Sequence, residues 1–90
     1  MSLPTITIEL FGVPRARAGV RELVVSAATV GAALNEAITQ CPPLADVFKS
    51  DGSLLPQYLL SLDGQRFVAD RSQSLQSGDR LLLLSADAGG

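Results

Sequence analysis

The sequence contains no histidine and no tryptophan, and only one cysteine and one lysine among its 90 residues. Without histidine there can be no Ser-His-Asp or Cys-His nucleophile system, no imidazole base and no histidine-ligated zinc. A single cysteine, Cys41, supports neither an internal disulfide nor a thiolate cluster. This fits a reducing, cytoplasmic setting. Lys49 as the sole lysine argues against linkage of copies into chains through lysine. A net charge of −2 and a pI near 4.8 leave no basic surface to neutralise phosphates, so nucleic acid is not an expected partner. No apolar run approaches the ~20 residues that span a bilayer, and residues 1–10 lack the basic and apolar regions of a signal peptide, so no membrane association is expected. The chain is poor in the residue types that perform catalysis.

What is present is aliphatic. Hydrophobic residues make up 47% of the chain and aromatics 4%, so the core must be built from Leu, Val, Ile and Ala. The length suits one domain, 1–90. Thr5 to Leu10, TITIEL, alternates strictly, with Ile6, Ile8 and Leu10 on one face, as a half-buried strand requires. Gly12, Pro14 and Gly19 punctuate what reads as a loop carrying Arg15 and Arg17. RELVVSA follows as a second strand, Leu23 and Val25 inward, antiparallel to the first.

In ATVGAALNEAITQCPP, Thr29 reads as the N-cap. Val30, Ala33, Leu34, Ala37, Ile38 and Cys41 form the stripe of an amphipathic helix that Pro42 and Pro43 terminate. Cys41 lies on that stripe and reads as a small core hydrophobe. LADVF allows one further turn. QYLLSL reads as a third strand, Asp63-Gly64 as a type I′ turn into a short fourth strand, QRFV, and Arg80 to Ser85 as the last. One helix among five strands must lay its stripe on one face of a mixed sheet. A right-handed crossover then sets the last strand parallel to the first. The expected fold is α+β: a β-grasp, or ubiquitin-like, sheet of about five strands.

On the last strand, Leu81 and Leu83 are expected to face the helix, and Leu82 and Leu84 the opposite side. Continuing the parity of the first strand puts Phe11 there too. Phe11, Leu82 and Leu84 are therefore expected to form an exposed apolar patch for partner binding.

The sequence ends in Gly89-Gly90, preceded by Ala86-Asp87-Ala88. Residues 86–90 read as a flexible tail rooted in a rigid strand. Glycines lack Cβ and can thread a narrow channel, and a terminal carboxylate can be activated as a mixed anhydride and attacked by sulfur or nitrogen.

Gly78-Asp79, the apolar last strand and Gly89-Gly90, on this order of elements, resemble the ThiS/MoaD family of ubiquitin-like sulfur carriers. LFGVPRARAGVRELVV is similar to the first hairpin of its molybdopterin-type members. The tail proline of many relatives is missing: Ser85-Ala86-Asp87-Ala88 stands there. The resemblance implies a carrier rather than an enzyme, with no bound cofactor. A ubiquitin-activating-type adenylyltransferase would use ATP and Mg²⁺ to adenylate the Gly90 carboxylate. A sulfurtransferase or cysteine desulfurase would convert it to a thiocarboxylate. A biosynthetic enzyme, such as the large subunit of molybdopterin synthase, would take the sulfur. Molybdopterin is the expected destination. Alternatives are cysteine, thiamine or a sulfur-containing secondary metabolite as destination, a protein modifier joined to target lysines, and an interaction domain that never uses its terminus.

Overall fold

The computed structural model describes residues 2–85. The expected tail 86–90, with Gly89 and Gly90, lies outside them. Five strands form one sheet: β1 (Thr5–Leu10), β2 (Glu22–Ser26), β3 (Tyr58–Leu62), β4 (Arg66–Phe67) and β5 (Arg80–Ser85), in the spatial order β2-β1-β5-β3-β4. β1 pairs antiparallel with β2 and parallel with β5, and β5 pairs antiparallel with β3. The parallel central pair is the β-grasp arrangement expected from the order of elements.

The strand period of two decides what each residue meets. Ile6, Ile8 and Leu10 of β1 and Leu81 of β5 are fully buried, and Leu83 nearly so. Their shared face receives α2 (Val30–Gln40), whose Val30, Ala33, Leu34 and Ala37 join the same hydrophobic cluster. Each such Ile or Leu contributes on the order of 1.5–3 kcal/mol by leaving water. Thr29 caps α2, its side-chain oxygen accepting from the Ala32 N–H at 3.2 Å. After the C-cap at Cys41, a 3₁₀ helix (Pro42–Val47) buries Leu44 and Val47. Cys41 is buried, its thiol donating toward the Ala18 carbonyl at 3.5 Å, as its place on the apolar stripe suggested.

Two elements differ from expectation. Residues 12–18 are not a loop but a short helix, α1 (Gly12–Ala18). Pro14 falls in its first turn, where N–H groups have no intrahelical partner and proline costs nothing. Gly19 closes it in the left-handed conformation (φ 76°), its N–H donating to the Arg15 carbonyl. The second difference is at the Asp63-Gly64 turn. Both residues have positive φ and the Gln65 N–H donates to the Leu62 carbonyl, as in a type I′ turn. The ladder nevertheless pairs Leu62 with Arg66 and Ser61 with Phe67, so one extra residue is inserted beyond the turn.

Candidate docking face

The side of the sheet away from α2 carries the outward residues of every strand. Across it, register sets Leu82 between Glu9 and Ser61, with Phe67 beyond Ser61, and sets Leu84 beside Leu59. Phe11 continues β1 at the same level as Leu84, its N–H donating to the Leu83 carbonyl at 3.0 Å. The structure thus brings Phe11, Leu82 and Leu84 together on one face. They are half-buried rather than fully exposed, because flat neighbours on adjacent strands cover one another's flanks. Arg15 adds cover: its guanidinium lies 5.5 Å from the Phe11 ring centroid, and its Nε donates to the Leu10 carbonyl at 2.9 Å.

Two further residues belong to this surface. Leu59 extends it along β3, and Phe67, 68% exposed, extends it to the β4 edge. Leu59 was legible from the alternation of YLLSL. Phe67 was not, because its facing depends on the extra residue after the turn. An aromatic exposed to this degree beside Leu59, Leu82 and Leu84 marks an apolar surface that a partner can desolvate.

The other half of the same face is charged. Arg80 donates to Glu9 at 2.6 Å and approaches Glu22 at 3.5 Å, and hydrogen bonding to Glu9 pushes its pKa up from an already high value. These pairs are solvent-accessible, so they contribute little stability and make this half of the face polar. Val24, 54% exposed, stands apart from the apolar half across Thr7. On the opposite flank, Arg17 pairs with Asp46 at 2.8 Å, tying α1 to the 3₁₀ helix.

Among the described residues, no group of three or more His, Cys, Asp or Glu side chains could hold a metal ion, and no helix is long and apolar enough to cross a membrane. Asp63 and Asp79, beside the start of β5, are used in turn chemistry. Asp63 Oδ1 accepts from the Arg80 N–H at 2.9 Å, and Asp79 Oδ2 from the Gln76 N–H at 2.8 Å.

No family model and no curated protein matches the chain in sequence. Solved structures do match. SAMP1 from Haloferax volcanii superposes with a TM-score of 0.83 at 29% identity, covering 96% of this chain and 99% of that one. The Amycolatopsis orientalis BexX/CysO complex gives 0.79 at 18% identity, over 94% and 99%. A putative molybdopterin converting factor subunit 1 from Pyrococcus furiosus gives 0.73 at 18% identity, over 91% and 97%. The two matches at 18% identity establish the ubiquitin-like fold, and SAMP1 extends the likeness into sequence.

Proposed function

We propose that this chain, ubiquitin-like in fold and neighboured by proteins of the ThiS/MoaD type, is a sulfur carrier that acts as a co-substrate rather than a catalyst. The Gly90 carboxylate attacks the α-phosphate of ATP on an adenylyltransferase, releasing pyrophosphate. The outer sulfur of a persulfide on a sulfurtransferase or cysteine desulfurase then attacks the acyl carbon and expels AMP, and a thiol reductant cleaves the resulting acyl disulfide. The product is a thiocarboxylate that a biosynthetic enzyme consumes. ATP and Mg²⁺ belong to the activating partner. Molybdopterin synthesis is the destination we favour, on the similarity of residues 10–25 to the molybdopterin-type hairpin and on the fold shared with the converting-factor subunit. Cysteine, thiamine or a secondary metabolite would use the same chemistry.

The observation that carries this reading is the joining of a β-grasp sheet to a Gly89-Gly90 sequence that follows its central strand. Five residues after Ser85 span at most ~18 Å when extended, enough to cross the wall of a partner's active site. The apolar half of the outer face, with Phe11, Leu82 and Leu84, would hold the partner while the glycines enter. Intact mass after incubation with ATP, an activating enzyme and a sulfur donor tests the proposal. The protein should gain the mass difference between sulfur and oxygen, and a variant lacking Gly90 should not, while melting at the same temperature. Activation that survives the deletion, or one added residue after Gly90, would refute the carrier.

A second reading has its own support. The Haloferax protein, and a Methanosarcina acetivorans neighbour at 21% identity, are described as small archaeal modifier proteins. Isopeptide transfer of Gly90 to a lysine would begin with the same adenylate. Conjugates that appear on other proteins and disappear without Gly90 would favour it.

A further inference from the structure

At the open edge of β3, between α2 and the rim of the docking face, lies a groove of about 310 Å³ whose outer lip is formed by Leu59 and Phe67. Its walls are apolar: Val30 and Leu34 of α2, Leu54 and Leu55 of the preceding loop, and Leu60 and Val68. One cationic side chain, Arg71, joins this lining.

Arg71 is held rather than left to swing. Nη1 donates to the Gly52 carbonyl at 2.5 Å, and Nη2 to the Gly31 carbonyl at 3.4 Å and to Asn35 Oδ1 at 3.2 Å. A Cβ on Gly52 would stand 3.2 Å from the guanidinium carbon, and one on Gly31 would stand 3.2 Å from Nε. Two residues without side chains therefore give the group its slot. All of these partners are neutral. The nearby carboxylates are turned elsewhere: Asp51 accepts from Ser53 and Asp70 from Ser72, each through both backbone N–H and hydroxyl. Among the described residues, no carboxylate pairs with Arg71. A half-buried guanidinium has five N–H donors, and the bonds to Gly52, Gly31 and Asn35 leave donors over for an anion.

We propose that this groove binds a small apolar monocarboxylate, its hydrocarbon body against Leu34, Leu54 and Val68 and its carboxylate on Arg71. The volume falls at the lower end of small-molecule sites, which are mostly apolar with few fixed polar groups. A fixed arginine supplies charge-assisted bonding with little ordering cost on binding. The site uses none of the carboxyl-terminal chemistry proposed above, although its lip, at Leu59 and Phe67, borders the docking face.

Octanoate and octanol, matched in chain length, are the probes, read by amide chemical shifts of the full-length protein. Octanoate should shift residues 30–35, 52–60 and 67–71 saturably, and octanol should bind roughly tenfold or more weakly, as loss of a charged hydrogen bond implies. Arg71→Gln, which can still donate to a carbonyl, should bring the two affinities together. Ala69→Trp, at an exposed position on the groove rim, should block both without lowering the melting temperature. Equal binding of octanoate and octanol to the wild type, octanoate shifts centred outside the groove, or no response to either ligand would each overturn the proposal. Should Arg71→Gln fail to fold, Ala69→Trp with the octanoate–octanol comparison still decides.

Discussion

Leu84→Asp separates docking from folding. Leu84 is half-buried, flanked by Leu59 on β3 and level with Phe11 beyond β1. Full burial of a leucine contributes about 1.5–3 kcal/mol, so a position covered to about half contributes on the order of 1 kcal/mol. The aspartate keeps water access on its open side and need not be buried as a charge. Folding should therefore lose roughly 1–2 kcal/mol, a fall of several degrees in melting temperature, since each 1 kcal/mol shifts a domain of this size by about 4–8 °C. Binding should lose more. A partner covering the patch would strip the remaining water and leave the carboxylate unpaired, costing ~2 kcal/mol or more, about thirtyfold in affinity. The assay is paired: affinity for the proposed activating enzyme by titration, and thermal melting of the protein alone. Val24→Asp is the control, because Val24 lies on the same face but beyond Thr7, apart from the apolar half. If Leu84→Asp abolishes folding, the leucine belongs to the core. If both variants bind like wild type, the partner recognises another surface.

Two further outcomes follow from the core and the loops. Leu34→Ala should destabilise the domain by about 2–5 kcal/mol in denaturant titration, since Leu34 is 3% exposed within the cluster beneath the sheet; a loss below 1 kcal/mol would mean that the site collapses freely or that the helix packs loosely. Asp51 and Asp70 have pKa values held below the usual carboxylate value, first by the side-chain hydrogen bonds from Ser53 and Ser72. Their folded pKa values lie below the unfolded ones, so the contribution is present above about pH 4 and is lost as pH falls through the lowered values. Asp51→Asn with Asp70→Asn should flatten the acid limb of a stability-versus-pH curve slightly, and an unchanged limb would remove the role assigned to these turns.

The fold was legible where one period governed a whole element. TITIEL and RLLLLS declared their buried faces by strict alternation in a sheet with one covered side, and the α2 stripe declared its own by the 3.6-residue repeat. Local exceptions were harder. In GVPRARAG the glycines and proline read as loop punctuation, yet proline near the start and glycine just past the end also mark a short helix. The sequence held that signal, and seven residues were too few for a stripe to reinforce it. The inserted residue near Gln65 left no signal of its own. With a plain two-residue turn, Leu62 would pair with Gln65, and Phe67 would oppose Leu60 on the helix side. The insertion reverses its facing and adds an aromatic to the outer surface, an outcome set by tertiary pairing rather than by local residue choice. Arg71 was invisible for a similar reason: its slot is made by Gly31 and Gly52, 40 and 19 residues away in the chain.

On the proposed function, the register of β5 does two tasks together. Leu82 and Leu84 point to the outer face because Leu81 and Leu83 point to the core, and a slip of one residue would exchange the pairs and turn the apolar patch inward. Several fixed bonds at the start of the strand oppose that slip. Asp63 Oδ1 holds the Arg80 N–H, the Thr7 N–H donates to the Asp79 carbonyl at 3.2 Å, and the Asp63 N–H donates to the Arg80 carbonyl at 2.7 Å. β5 is also central, with β1 and β3 bonded on either side, so neither of its edges is free to fray. The strand that carries Leu82 and Leu84 is the one the glycines follow. A partner that grips those leucines therefore fixes the origin of the terminus to within a few bonds. The distance from patch to carboxylate is then set by the number of intervening residues, which is why one added residue after Gly90 should be as damaging to activation as one removed.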